Sequence, residues 1–389
     1  MTTKRADLIS NILKEPRRKF GKIDAPVTTK DHLFNYPGVP LKPLALQYLL
    51  QGDVFPVNTL TLLAGREACC KSSLVLWLCR QFMDYGGHAV YINAESRAKF
   101  PTDIARGLVA QDLEGTPGFD YVEATSADET QEIIQGWIKS AKEMNDGIRE
   151  HNLKYPDDLW PECPVLIGLD SFAAAISQAE IDKIEKNGHG SASIAPFAKI
   201  WTTPLAKIIG DLPGSNVALV FIYHEKVEPS MYGARTIVGG RGQQHAASIS
   251  IRLRHSRGGN SVEELIDRGT TWLGMSLDKN CMGGAKTREV ELSFNWTKDG
   301  KFFFDFDHAA IETIKEALKN GISFGPMLDL SIYKQKYNSK SLDFTGLEAS
   351  EVLQLVCDNP EIKDAMMHFF GITHRYHLNS FLPEVTNES

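Results

Sequence analysis

No stretch of the 389 residues has the roughly 20 consecutive apolar positions that a bilayer-spanning helix needs. That excludes an integral helical membrane protein. No continuous apolar core follows the basic start Met1 to Arg5, so no secretory leader is expected. The cysteines at 69, 70, 79, 163, 281 and 357 form no CxxC and no Cys/His pattern suited to zinc. Without a leader they read as reduced thiols of a cytoplasmic protein. Positive charge is short as well: 42 Lys and Arg stand against 49 Asp and Glu, a net charge of −7. A uniformly basic nucleic-acid coat is thereby excluded. A local basic groove is not, because steering depends on where charges sit. No internal repeat is found. What remains, 42% hydrophobic and 23% charged, is the composition of an ordinary globular protein long enough for two or three domains.

Residues 1–20 carry Leu8, Ile9, Ile12 and Leu13 at helical spacing, and a Pro- and Gly-rich linker follows to Pro43. From Asn58 the texture alternates. Strands are expected at Thr59–Ala64, Ala89–Ile92, Pro164–Leu169 and Val217–Ile222, with helices from Ser72, from about Asp128 and from about Ile194. Such alternation implies right-handed βαβ crossovers and a mostly parallel sheet. After Ser248 the pattern turns to β, and residues 307–389 look helical and polar. Three units are expected: a helical arm with its linker (1–34), an α/β core (35–300) and a helical C-terminal domain (301–389).

The strongest chemical signal is Gly65-Arg66-Glu67-Ala68-Cys69-Cys70-Lys71-Ser72, after a strand and at the start of a helix. Backbone N–H groups in such a loop surround phosphate oxygens, and the helix N-terminus adds positive potential. In this reading Lys71 reaches the β- and γ-phosphates of ATP, Ser72 ligates Mg²⁺, and Ser73 completes the nucleotide-binding stretch. Cys70 stands where the usual pattern has glycine. The plain alternative is a strand–turn–helix with a chance Lys-Ser.

Two acids strengthen the phosphate reading. Glu95 follows the second strand and Asp170 ends the third. Ligands of open parallel sheets bind at the carboxyl ends of the strands, so these acids converge on the nucleotide. Asp170 suits the Mg²⁺ shell, and Glu95 suits the orientation of an attacking water. Either acid alone reads more simply as a helix cap or a solvated strand end.

This ordered series resembles the RecA-type strand-exchange recombinases over about residues 35–300. Tyr91-Ile-Asn-Ala-Glu95 is similar to the family segment that ends in its catalytic glutamate, and Leu169-Asp170-Ser171 to its Walker B stretch. Val220-Phe-Ile-Tyr-His224 resembles the strand whose last polar residue senses the γ-phosphate, with His224 where bacterial members commonly have Gln. The departures at Cys70 and His224 resemble a divergent, viral or phage branch, which would act in the host cytoplasm. The resemblance implies a RecA-like P-loop ATPase core using ATP and Mg²⁺, with Glu95, Lys71 and His224 as its catalytic set.

It also gives meaning to two long glycine-bearing loops. The first, about Glu180 to Ala195, offers Lys183 and Lys186. The second, Glu225 to Gly242, offers Lys226, Met231, Tyr232, Arg235, Gly239, Gly240 and Arg241. Cations and amides pair with phosphates without reading sequence, and an apolar wedge holds stretched bases. Apart from the resemblance, these read as solvated loops. The resemblance further places Phe100 or Ile104 at the adenine, Lys279, Lys286 or Arg288 at a neighbour's phosphates, and Gln244 and His245 at a subunit interface. Each of these also reads as an ordinary core or surface residue. The function implied is ATP-dependent binding of single-stranded DNA as a helical filament, with strand exchange into double-stranded DNA and no membrane partner. The alternatives are a hexameric helicase-type ring of the same core fold, or a DNA-binding filament protein that has lost hydrolysis.

Overall fold

The computed structural model describes residues 37–41, 43–95, 118–172, 196–227, 235–237, 241–256, 270–282, 289–296, 302–305 and 376–377. By its contacts the chain divides into Met1–Tyr36 and Pro37–Ser389, and every described residue belongs to the second unit. The expected arm, most of the C-terminal helical region and the first long loop lie outside the described residues.

The central sheet runs through nine strands. Six are parallel, in the spatial order β9 (Ile249–His255), β3 (Thr59–Gly65), β7 (Val217–Val227), β6 (Val165–Asp170), β4 (His88–Asn93) and β5 (Phe119–Glu123). On the β9 side, β10 (Thr270–Asn280), β11 (Glu289–Trp296) and β12 (Phe302–Asp305) continue antiparallel. The short β8 (Arg235–Ile237) pairs with the end of β7. A second, three-stranded sheet joins β1 (Pro37–Pro40) to β2 (Val54–Pro56) and to β13 (Tyr376–His377).

The inner strands are apolar on both faces because both faces are covered. Every residue of β3 and of β6 is buried. On one face Ala218, Val220 and Ile222 of β7 pack with Leu74, Leu78 and Phe82 of α2 (Lys71–Asp84) and with Leu46 and Leu49 of α1 (Leu44–Leu50). On the other, Leu219, Phe221 and Tyr223 pack with Ile134 and Ile138 of α3 (Ala127–Lys154) and with Trp201, Leu205 and Ile208 of α4 (Pro196–Asp211). Each fully buried large side chain of this kind contributes about 1.5–3 kcal/mol.

Local chemistry fixes the element ends. The Ser126 side chain accepts from the Glu129 amide at 3.2 Å, while the Glu129 carboxylate accepts from Thr125. This reciprocal pairing starts α3. Gly168 lets α2 approach the sheet, because a Cβ there would collide with Val75. The site helix is thus seated directly on the strand that ends in Asp170.

Several elements depart from the sequence reading. Pro37–Pro40 is a strand within the expected linker, and Tyr376–His377 is a strand within the region that looks helical. The second long loop is also partly regular. Glu225, Lys226 and Val227 belong to β7 and pair with Ile237, Thr236 and Arg235 of β8. Arg241 opens a short helix, α5 (Arg241–Ala246). The ladder satisfies backbone groups that an open loop would have left to water.

Candidate functional site at the carboxyl edge of the parallel sheet

The site is built where β3, β4 and β6 end and where β7 passes the end of β3. The register sets Gly65 of β3 beside His224 of β7, and Asn93 of β4 beside Asp170 of β6. Gly65 is required at its place, because a Cβ would lie 2.5 Å from the Leu253 carbonyl oxygen.

The turn after β3 exposes Arg66, Glu67 and Ala68, buries Cys69 and half-buries Cys70. Ala68 and Cys70 adopt left-handed backbone at φ 61° and 53°, a region that favours glycine. Cys70 is the N-cap of α2 but supplies no side-chain cap, so the leading amides of that helix are not satisfied from there. Lys71, only 5% exposed, donates through Nζ to the carbonyls of Gly65 at 3.1 Å and Arg66 at 2.5 Å. Burial lowers its pKa from the ordinary lysine value, and nearby Cys69, Asp170 and Glu95 oppose that shift. Burial also pushes the Cys70 thiol up to about 12, and the Cys69 thiol upward. Both shifts disfavour the reactive thiolate form.

Side-chain donors hold both acids. Asp170 Oδ2 accepts from the Ser72 hydroxyl and from the Tyr91 hydroxyl, the latter at 2.5 Å. Burial raises the Asp170 pKa, and these two donors counter the rise. The Asp170 carbonyl accepts from the Ala94 amide at 2.6 Å, which ties the end of β4 to the end of β6. The peptide between Asp170 and Ser171 is cis. Glu95 Oε1 accepts from the Ser171 hydroxyl at 2.6 Å and lies 2.8 Å from His224 Nε2. The His224 hydrogen bond is the main reason the Glu95 carboxyl is held down to about 2, with Ser171 helping against burial. The other ring nitrogen of His224, Nδ1, is buried without a partner.

Lys71, Ser72, Asp170, Glu95 and His224 thus meet at one edge. Ser73 is buried on α2. Lys279 instead donates from Nζ to the carbonyls of Gln244 at 2.9 Å and His245 at 2.8 Å, capping the end of α5. Lys183, Lys186, Met231, Tyr232, Gly239, Gly240, Phe100, Ile104, Lys286 and Arg288 lie outside the described residues. Tyr91 and Ser171 are polar partners that sequence reasoning missed. Tyr91 read as an apolar strand position, and its hydroxyl partner is 79 residues away.

The residues fit Mg-ATP. A hydroxyl and a carboxylate in contact are hard oxygen donors of the kind Mg²⁺ takes together with phosphate oxygens. The Lys71 ammonium, held by loop carbonyls, stands at the same mouth. Among the described residues no helix is long and apolar enough to cross a membrane.

No family model matches the chain. RecA of Nitratidesulfovibrio vulgaris is 23% identical over 270 residues, covering 68% of this chain and 67% of that protein. RecA of Thermus aquaticus is 23% identical over 256 residues, covering 64% of each. RecA of Clostridium novyi is 21% identical over 276 residues, covering 70% of this chain and 68% of that protein. The chain spans about two thirds of the length of these relatives. Fold, site order and low but extended identity agree: the chain has a RecA-like α/β core and is similar to RecA proteins.

Proposed function

We propose that the chain is a DNA-dependent ATPase that assembles as a helical filament on single-stranded DNA and exchanges strands with double-stranded DNA. The supporting observation is the convergence of Lys71, Ser72, Asp170, Glu95 and His224 at the carboxyl ends of four adjacent parallel strands. Bound Mg-ATP would supply an electrophilic γ-phosphorus and charge neutralisation at the phosphates. The protein's own part is positioning. Lys71 would exchange its loop carbonyls for phosphate oxygens. Ser72 and Asp170 would hold the metal, with Tyr91 fixing the carboxylate. Glu95 orients the attacking water. A carboxylate held near pKa 2 accepts a proton poorly at neutral pH, so Glu95 is restrained while His224 donates to it. A shift of His224 toward phosphate releases that restraint and pulls on the end of β7, from which the hairpin leaves.

The same pairing, with left-handed Cys70, favours one second reading: a filament protein with slow or absent hydrolysis. Electron microscopy with single-stranded DNA and a slowly hydrolysed ATP analogue tests assembly. Turnover with and without DNA separates the two readings. Helical filaments with DNA-stimulated hydrolysis are expected; closed rings would replace this reading with a ring motor. Lys71→Ala should lower nucleotide affinity at least about 100-fold, by loss of a charge-assisted phosphate contact. Filaments that still respond to ATP in that variant would remove the phosphate-loop assignment.

A further inference from the structure

β3 stops at Gly65, whereas its neighbours β7 and β9 run on. In the gap beyond, the Glu225 side chain is only 3% exposed, and its Oε1 lies 3.0 Å from Arg252 Nε. That N–H does not point at Glu225. It donates to Asp278 Oδ2 on β10 at 3.0 Å, and Arg252 Nη2 lies 2.8 Å from the same oxygen. Glu225 Oε1 is left buried without an aligned donor. One guanidinium therefore stands between two carboxylates, tightly bonded to one and only close to the other.

The placement matters because Glu225 follows His224 and is the first residue of β7 to pair with β8. Beside Asp278, Lys279 holds the last carbonyls of α5, the helix that begins just after the hairpin segment. The two ends of the stretch from Glu225 to Ala246 are thus moored on β9 and β10. The α5 end has two aligned hydrogen bonds; the Glu225 end has none from Arg252.

We infer that Arg252 is a positioning residue that couples the nucleotide edge to the β7–β8 hairpin, by holding Glu225 at the root of that hairpin while bonded to Asp278. The inference rests on the proposed function, because the hairpin is part of the proposed DNA-binding segment. A buried carboxylate oxygen without a donor is costly, so Arg252 has a second favourable arrangement, turned from Asp278 onto Glu225. Two discrete arrangements of one side chain are what coupling between sites requires. Movement of His224 carries Glu225 with it along the strand and selects between them. The α5 end stays fixed, so the displacement appears in the hairpin.

The test uses the full-length protein and an oligo-dT strand, with Arg252→Gln, Arg252→Lys and the near-isosteric Glu225→Gln. Arg252→Gln should reduce the DNA-stimulated rate about tenfold, while nucleotide affinity and the rate without DNA stay within about twofold. Amide exchange should quicken at least about tenfold over 225–227 and 235–237, and stay unchanged over 241–246. Arg252→Lys, with one compact ammonium, should recover part of the stimulation. Glu225→Gln should reproduce the loss of stimulation if Arg252→Gln fails to fold. Equal loss of the basal and stimulated rates, or unchanged exchange in the hairpin, would overturn the inference. If the unsubstituted protein shows no DNA stimulation, the proposed function fails instead, and the exchange measurement alone decides the role of Arg252.

Discussion

The turn from Arg66 to Cys70 and the strand ends at Glu95 and Asp170 border the same edge of the sheet, yet they are held in different ways. Backbone conformation holds the turn: Ala68 and Cys70 sit in left-handed φ, and Lys71 is satisfied by carbonyls of its own loop. Side-chain donors hold the acids: Ser72 and Tyr91 on Asp170, Ser171 and His224 on Glu95. The first arrangement gives way easily, because an incoming anion need only replace two carbonyls as partner of the Lys71 ammonium. The second is organised in advance, which lowers the cost of orienting a metal or a water. One half is built to change and the other to stay, and His224 is the member of the second that has somewhere to go.

Glu95→Gln breaks the acid half with the largest expected effect. The amide keeps the volume and still accepts from Ser171, so the fold and nucleotide affinity should persist. Turnover in the presence of single-stranded DNA should fall by about 10²- to 10⁴-fold, the usual contribution of a positioned acid–base group. Single-turnover hydrolysis at saturating nucleotide measures it. A rate within a factor of about three of the parent would strip Glu95 of its role.

His224→Ala addresses the same half through pH. In the folded protein the Glu95 carboxyl titrates near 2, below its ordinary value of 4.5. A depressed carboxyl stabilises the fold fully above the ordinary value, and that stabilisation is lost as pH falls through about 2. Removing His224 takes away the largest cause, so Glu95 should titrate closer to 4.5, and the acid-dependent loss should become smaller and end at a higher pH. Carbon-detected NMR of the Glu95 side-chain carboxyl reads this directly. A midpoint that stays near 2 would mean that Ser171 and Lys71 suffice, and that His224 does not restrain the acid.

The two halves were also unequally legible. The parallel core is readable because inner strands are unbroken apolar runs, as in Val165–Leu169 and Val217–Ile222, which suit burial on both faces. The phosphate turn is readable because its residues are consecutive. β5 is not, since Phe119-Asp-Tyr-Val-Glu123 is a partly exposed edge strand with acids in it. β1 hides behind its two prolines, which stand at its first and last residues. The side-chain partners of the acid half are the hardest to see. Tyr91 and Asp170 lie 79 residues apart, and Ser171 and Glu95 76 apart, joined only because β4 and β6 are neighbours in the folded order. Glu225 and Arg252 meet across β3, where Arg252 stands beside Ala64 and Glu225 lies one residue past the partner of Gly65, and register to that accuracy is not in the hydrophobic pattern.

Cys70→Gly sharpens the comparison from the side of the turn, with the smallest expected effect. Left-handed backbone costs a non-glycine residue about 1–2 kcal/mol, and glycine removes that cost. Against this, glycine frees the unfolded chain by about 0.5–1 kcal/mol. The substitution also deletes a half-buried thiol that packs against the core beneath α2. The net should be a gain of no more than about 1 kcal/mol, read as a higher denaturant midpoint at an unchanged slope. Ala68→Gly is the control, because Ala68 shares the left-handed φ but is exposed and gives up no packing. If strain dominates, both variants gain, and Ala68→Gly gains at least as much. If Cys70→Gly loses stability while Ala68→Gly gains, the thiol is a packing element, and the turn is held partly as the acid half is, by what its side chain touches.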